Sequence, residues 1–160
     1  MSSVPAEAIR LVSGSSTDLT GVMAIMTAAF SPSYGEAWTR SQCAGILPMT
    51  GVSLILARDH GSAQPLGFSL FRTVGGEAEL LLLAVAPGHQ GRGIGRLLLE
   101  EFTERARRAG AGRVHLEVRD GNPAVAMYRR AGFEPAGRRQ KYYRGNDGRQ
   151  YDAITLARDL

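Results

Sequence analysis

The segment Glu-Ala-Glu-Leu-Leu-Leu-Leu-Ala-Val-Ala-Pro-Gly-His-Gln-Gly-Arg-Gly-Ile-Gly, residues 77–95, carries the strongest structural signal of this 160-residue chain. Its continuous apolar run, Leu80 to Val85, has the length of a strand and predicts a buried central one. A helix follows, because apolar residues recur at helical spacing from Ile94 to Ala109. A strand that runs through a basic, glycine-rich loop into a helix predicts a phosphate site.

The physical basis of this prediction is the start of the helix. Its first backbone N–H groups have no helical acceptor, and the helix dipole places partial positive charge there. Gln90 can donate a side-chain hydrogen bond or tie the loop to its own backbone, and Arg92 and Arg96 add positive charge. Close approach of a ligand to the backbone is favoured by the three glycines of the loop, Gly91, Gly93 and Gly95.

Two common phosphate loops fit this segment poorly. A P-loop requires a lysine and a hydroxyl residue after its last glycine, and neither follows Gly95. The dinucleotide fingerprint requires Gly-x-Gly-x-x-Gly, whereas the third glycine here comes one residue early. Glu117 does lie at the distance at which that fingerprint places an acidic residue. The dinucleotide fold, however, is built from two strand–helix–strand halves, and this chain contains only one. A nicotinamide cofactor is therefore disfavoured.

The loop resembles the signature of the GNAT superfamily of acyl-CoA-dependent N-acetyltransferases, Gln/Arg-x-x-Gly-x-Gly/Ala between a strand and a helix. The similarity continues downstream through Leu116-Glu-Val-Arg119, Asn122, Ala124-Val-Ala-Met-Tyr128 and Gly132-Phe133. The segments 138–143 and 148–153 look like the RimI-type branch, which acetylates the N-terminal alanine of a small-subunit ribosomal protein. The resemblance covers residues 77–156, and the first half of the chain matches by order of elements.

The resemblance implies a mixed α/β (α+β) GNAT fold. We expect a mixed central sheet of about six to seven strands, flanked by about four helices and splayed between the fourth and fifth strands. Acetyl-CoA is the implied acyl donor, and the backbone edge of the fourth strand pairs with its pantetheine arm. The implied cofactor-binding residues are Leu83, Ala84, Val85, Gln90, Gly91, Arg92, Gly93, Ile94, Gly95, Arg96, Asn122 and Tyr128.

Glu117 is the first candidate for the general base, because an ammonium must lose a proton before it can attack a thioester. An N-terminal α-amine has a pKa of about 8, so near neutral pH its proton is held weakly enough for a carboxylate to remove it. If Leu116 and Val118 point into the core, Glu117 faces the opposite side of the strand, and the resemblance places the RimI-type base here. Residue patterns alone equally allow a solvated glutamate paired with Arg119. Glu79 is a second candidate base.

Tyr128 is the candidate general acid. A phenol with a pKa of about 10 holds its proton at neutral pH and can pass it to a thiolate, whose conjugate acid has a pKa of about 8.5. The resemblance places this tyrosine next to the leaving sulfur, while packing against Phe133 is the purely structural alternative. Asn122 and Tyr128 are one residue closer together than is usual in the family. We interpret this as a shorter loop before the helix.

The acceptor groove is expected between the loop around residues 30–38 and the terminal hairpin. Glu36 or Asp152 can attract a cationic amine, and aromatic side chains can hold the residues behind a peptide terminus. The candidate substrate-binding residues are Tyr34, Trp38, Tyr142, Tyr143 and Asp152. A ribosomal-protein N-terminus is favoured over a small amine or a protein lysine, and a non-catalytic acyl-CoA-binding module is a further alternative.

Composition bounds the remaining possibilities. The length of 160 residues predicts a single domain spanning 1–160, and the 44% apolar content is enough to bury one core. No apolar run has the length of a membrane span. Cys43 is the only cysteine, which excludes a disulfide framework and favours the cytoplasm. We interpret the net charge of +4 as a solvent-exposed basic surface, and we expect no direct nucleic-acid role. No histidine pair has ligand spacing, so we expect no metal, and we expect a monomer or weak homodimer.

Overall fold

A computed structural model describes residues 8–160, and seven strands form one sheet in the order β1-β2-β3-β4-β5-β7-β6. The strands are β1 (Arg10–Ser13), β2 (Val52–Arg58), β3 (Gly67–Val74), β4 (Glu77–Val85), β5 (Arg113–Arg119), β6 (Glu134–Arg144) and β7 (Gln150–Asp159). The helices are α1 (Leu19–Ala29), α2 (Arg40–Ile46), α3 (Ile94–Arg108) and α4 (Ala124–Arg130).

The sheet is mixed. β1 to β4 pair antiparallel, β4 and β5 pair parallel, and β7 returns antiparallel between β5 and β6. The single parallel pair follows from α3, the crossover that brings β5 beside β4 in the same direction. Seven strands, four α-helices and a separation of β4 from β5 confirm the expected fold class.

Two hydrophobic cores lie on opposite faces of the sheet. The first packs α3 and α4 against β4, β5 and β7, with Phe102, Phe133 and Leu116 fully buried. The second packs α1 and α2 against β2 to β4, around Met26 and Phe68. Full burial of an apolar side chain contributes about 1.5–3 kcal/mol, so these layers supply the main force that fixes the helices on the sheet.

A bulge at Leu81 changes which face each β4 side chain occupies. Leu70 of β3 pairs with Leu82, but the next residue, Phe71, pairs with Leu80, so Leu81 is an extra residue. Leu80 lies in the first core, whereas Leu82 lies in the second. Leu81 and Leu83 are only half-buried. The expectation of a fully buried strand was therefore wrong for these two residues, because β5 leaves the side of β4 at this point.

Candidate active site

A cleft opens where β4 and β5 separate. Their last pair is Leu80 with Leu116; beyond it β4 remains paired with β3, and β5 remains paired with β7. The cleft has a volume of about 1270 Å³. Five segments supply most of its lining: residues 29–36, the end of β4, the loop 89–96, the end of β5 and residues 122–131. Tyr143 of β6 and Arg158 of β7 also face it.

The end of β4 presents main chain to this cleft. From Leu81 to Val85, no strand among residues 8–160 pairs with the side of β4 that faces β5. An extended ligand can therefore pair with this edge through main-chain hydrogen bonds. The predicted residues Leu83, Ala84 and Val85 all line the cleft here.

The glycine-rich loop closes one end of the cleft. Gly91 and Gly93 adopt φ values of 80° and 81°, which only glycine adopts without strain, and Gly93 precedes the first residue of α3. The first helical hydrogen bond joins the Leu97 N–H to the Gly93 carbonyl, so the amides of Ile94 to Arg96 precede it. These amides lie at the positive end of a helix of 15 residues, where an anion is stabilised.

Other loop residues have more specific positions. The side-chain amide of Gln90 donates to the Val85 carbonyl over 3.1 Å, so it ties the loop to the end of β4. Gly95 permits close helix packing, since a Cβ there would stand 3.2 Å from the Met127 sulfur of α4. Arg92 Nη1 lies 2.8 Å from His89 Nδ1, within the loop itself.

Arg96 lies at the mouth of the cleft, where it forms an exposed ion pair with Glu100 over 3.7 Å. Exposed pairs of this kind contribute little to stability, so the guanidinium can turn toward an anion at small cost. Together with Arg92, it supplies positive charge beside the loop amides.

Glu117 lies on the cleft side of β5, and its side chain is 11% exposed. One carboxylate oxygen accepts a 2.7 Å hydrogen bond from the Thr155 hydroxyl, and the other lies 3.1 Å from Arg139 Nε. The suggested pairing with Arg119 was wrong. Arg139 is paired with Ala153 of β7 and Glu117 with Thr155, so the Arg139 side chain reaches Glu117 diagonally across β7 from β6.

Tyr128 is buried in the wall of the cleft, and its ring packs edge-on against Phe133 at 6.1 Å between centroids. The packing against Phe133 that the sequence suggested is thus observed, and the position beside the leaving sulfur stays a prediction. Burial raises the pKa of the Tyr128 phenol above its ordinary value, and the negative charge of Glu36 raises this pKa further. The phenol therefore remains protonated at neutral pH.

Asn122 has protein partners on both sides of its amide. Its Oδ1 accepts from the Ala124 N–H at the start of α4 over 2.9 Å, and its Nδ2 donates to Glu36 over 3.0 Å. Asn122 lines the cleft, and these two bonds use one N–H and one lone pair of its amide. Its predicted contact with a cofactor stays a prediction.

The loop between α1 and α2, residues 30–38, meets the hairpin between β6 and β7. The N–H of Asn146 donates to the Pro32 carbonyl, and Tyr34 packs edge-on against Tyr151 at 5.3 Å. A Cβ at Gly35 would overlap the Arg144 carbonyl, and one at Gly145 would overlap the Ser33 carbonyl. We call these two joined segments, residues 30–38 and 144–151, the arch.

The candidate acceptor residues separate into two groups. Tyr34 and Tyr143 line the cleft, and the Tyr143 hydroxyl donates to the Glu117 backbone carbonyl over 3.3 Å. The other three lie outside it. Trp38 packs on the second core, and Tyr142 is 49% exposed on a bulge of β6. Asp152 holds that bulge by accepting from the Lys141 N–H and pairing with Arg138, so it has a structural position.

The alternative base Glu79 lies below the point where the strands separate. Its carboxylate is 3.6 Å from His115 Nε2, and its side chain is half-exposed outside the cleft. Glu117, the first residue of β5 beyond the last pair with β4, is the carboxylate that faces the opening.

The pairs Glu36–Arg119 and Glu117–Arg139 were missed by the sequence analysis. Each joins segments that are far apart along the chain, so no local pattern could assign them. The alternation of β5 does contain one signal, since Arg119 lies on the same face as Glu117 two residues further along. Among residues 8–160, no cluster of three or more potential ligand side chains is arranged to hold a metal ion. No helix in this part of the chain is long and apolar enough to cross a membrane.

The fold, the cleft and the glycine-rich loop together define a known class of protein. The model of the acetyltransferase (GNAT) family matches residues 19–133, and the chain belongs to this family. It is 46% identical over 91 residues to the N-alpha-acetyltransferase RimI of Mycobacterium tuberculosis, a match that covers 56% of this chain and 54% of that protein. It is 41% identical over 91 residues to the [ribosomal protein bS18]-alanine N-acetyltransferase of Escherichia coli, covering 56% and 61%.

These matches span little more than half the length of both curated relatives. In three dimensions the similarity covers nearly the whole chain. The crystal structure of the ribosomal-protein-S18-alanine N-acetyltransferase from Escherichia coli superposes with a TM-score of 0.84 at 29% identity. This superposition covers 95% of the present chain and 94% of the other.

Proposed function

We propose that the protein is an acetyl-CoA-dependent N-acetyltransferase that modifies the N-terminal α-amine of a ribosomal protein beginning with alanine. The observation that carries the proposal is the cleft between β4 and β5, which brings an unpaired strand edge, a phosphate-binding helix start, Glu117 and Tyr128 to one opening. Similarity to two RimI-type enzymes supports the choice of acceptor.

The residues present fit acetyl-CoA. The edge of β4 can pair with the amides of the pantetheine arm, and the start of α3 with Arg92 and Arg96 can hold the pyrophosphate. When bound, acetyl-CoA supplies an acetyl group activated as a thioester. Gln90 keeps the two parts of this site in register because it links the loop to the last residue of β4.

Glu117 is suited to take the proton of the acceptor amine, directly or through a water molecule. Thr155 and Arg139 fix its carboxylate from two sides, which limits the orientations it can adopt. Tyr128 is suited to give its proton to the departing thiolate, since burial keeps the phenol neutral. The two groups reach the cleft from different elements, β5 and α4, as transfer between two bound substrates requires.

The arch favours a chain terminus as acceptor. It joins the α1–α2 loop to the β6–β7 hairpin through main-chain contacts, so on the acceptor side, where Tyr34 lines the cleft, the two segments form one continuous border. An extended terminus with a free amine can pass below such a cover more easily than a lysine within a folded domain. Tyr34 and Tyr143 would contact the residues behind the amine.

The test is mass spectrometry after incubation with acetyl-CoA and three acceptors. These are an alanine-initiated peptide from the host's small-subunit ribosomal protein, an N-terminally blocked peptide with a lysine, and a small polyamine. We expect acetylation of the free α-amine alone. Glu117→Gln should abolish it, whereas Glu104→Gln, on the exposed side of α3, should leave it unchanged. Modification of only the lysine peptide or only the polyamine would contradict the proposed acceptor.

A further inference from the structure

We propose that Glu36 is a positioning residue that joins the acceptor side of the cleft to the start of α4, which carries Tyr128. The inference rests on the proposed function, because it concerns how the acceptor and the general acid are held relative to each other. The structural feature behind it is a contact of Glu36 with Arg119 and Asn122, which we call the clamp.

The two bonds of the clamp converge on one atom. Glu36 Oε1 accepts from Arg119 Nε over 3.0 Å and from Asn122 Nδ2 over 3.0 Å. The side chains of Glu36 and Arg119 are each only 10% exposed. Removal of one member of such a shielded pair leaves the other charge without compensation, so the pair holds its geometry more firmly than an exposed one.

Arg119 connects the clamp to the acceptor loop. Its guanidinium lies over the Tyr34 ring, 3.7 Å from the centroid, and its Nη1 donates to the Asp120 carbonyl over 3.3 Å. Tyr34 in turn contacts Tyr151 of the hairpin. Arg119 therefore holds the arch from below, two residues beyond the candidate base on the same strand.

Asn122 connects the clamp to the general acid. While its Nδ2 binds Glu36, its Oδ1 accepts from the Ala124 N–H, the first residue of α4. Tyr128 lies one helical turn after Ala124 in the same helix, so a movement of Asn122 would move the first residue of the turn that carries Tyr128. The charge of Glu36 also raises the pKa of the Tyr128 phenol, after the larger effect of burial.

The clamp gives Asn122 a role that differs from the one implied by the resemblance. Because its amide is held in place by Glu36 on one side and by α4 on the other, we expect its main contribution in acceptor binding rather than in cofactor binding. The short spacing between Asn122 and Tyr128 leaves only Pro123 between this asparagine and the first residue of α4, where both bonds are possible.

The experiment compares Glu36→Gln and Asn122→Ser with the control Glu104→Gln, a glutamate paired on the exposed side of α3. Serine at position 122 can still accept from the Ala124 N–H but is too short to reach Glu36. We expect both variants to raise the KM of the alanine peptide and lower kcat/KM about tenfold. Asn122→Ser loses a hydrogen bond to a charged group, and Glu36→Gln keeps an acceptor oxygen but loses the charge that pairs with Arg119. The Kd of acetyl-CoA, measured by calorimetry, should change less than twofold.

The double variant provides a second criterion. If both residues act through one clamp, the double variant should be no worse than either single one. Additive losses would overturn the proposal, and so would a tenfold weaker binding of acetyl-CoA to Asn122→Ser with an unchanged acceptor KM. Should Glu36→Gln fail to fold, Asn122→Ser, which removes no charge, still provides the test.

A readout without turnover separates this inference from the proposed function. Amide hydrogen exchange in the loop 30–38 should be faster in both variants than in the parent protein and in Glu104→Gln. If the parent protein acetylates none of the acceptors, the proposed function fails while this comparison still tests the clamp. Unchanged exchange in the loop would overturn the clamp even in an active enzyme.

Discussion

The hydroxyl of Thr155 donates a 2.7 Å hydrogen bond to the carboxylate of Glu117, its directly opposite neighbour in the β5–β7 pair. The side chain of the candidate base is thus oriented from the adjacent strand. Such support is needed for catalysis, because a misdirected base loses rate even when its proton affinity is right.

Thr155→Val should therefore lower kcat about tenfold, since valine keeps the shape of threonine but cannot donate to Glu117. The KM values should change little because Thr155 lies behind the carboxylate. Steady-state kinetics with the alanine peptide provide the measurement. Thr155→Ser, which restores the hydroxyl, is the control, and an equal loss of kcat in both variants would count against orientation as the cause.

Gly35→Ala should weaken the arch. Gly35 has a φ of 69°, and an added methyl group would overlap the Arg144 carbonyl, so the two segments must move apart. We expect a loss of about 1–3 kcal/mol in the free energy of unfolding, measured in urea, and a higher KM for the peptide acceptor. The control Gly45→Ala, within α2 and with open space around its Cβ, should be neutral or stabilising. Equal stability of the two variants would contradict a tight arch.

The buried tyrosines predict a loss of stability at alkaline pH. Burial raises the pKa of Tyr128 and, together with nearby Tyr142, Glu36 and Glu117, the pKa of Tyr143. Below about pH 10 both phenols are neutral in the folded and unfolded chain, so they add no pH dependence. Above it the unfolded chain loses these protons first, and the free energy of unfolding should fall as pH rises. Urea unfolding between pH 8 and 11 tests this, and Tyr128→Phe should show a shallower decline than the parent protein.

Ser69→Ala should leave the protein as stable or make it more stable by about 1 kcal/mol. The Ser69 hydroxyl is fully buried in β3, and it has no hydrogen-bond partner within residues 8–160. Replacing an unsatisfied polar group by a methyl group removes its desolvation cost. Thermal unfolding measures the change, with Thr103→Ala as contrast, because Thr103 is buried but donates to the Leu99 carbonyl. A loss of stability in Ser69→Ala would show that its hydroxyl has a partner.

The sequence predicted the elements well where the signal is local. The run before Pro87, the glycine spacing and the periodicity of α3 depend on neighbouring residues, so the fold and the position of the cleft could be anticipated. The side-chain partners could not. Arg139 reaches Glu117 only because β7 lies between β5 and β6, and that strand order is not visible in any single segment.

The aromatic and acidic residues near the acceptor show the same limit. Trp38 and Tyr34 lie in one loop, yet one packs on the second core and the other faces the cleft. Asp152 was expected to attract an amine, but the bulge of β6 directs the Lys141 N–H to its carboxylate. The residue types show which side chains can recognise a ligand, but the backbone conformation of the loop decides which of these side chains face the cleft.

The bulge in β4 sets which face each side chain at the wall of the cleft occupies. Leu80 and Val85 lie in the layer of α3, whereas Leu82 and Ala84 lie in the layer of α1, because the extra residue Leu81 interrupts the alternation of the strand. Removal of Leu81 would give an unbroken ladder with β3 in which the four residues that follow keep their partners and their faces. In a strand without a bulge, the same deletion would move every later side chain to the opposite face. The bulge therefore makes this part of the sheet tolerant of the loss of one residue.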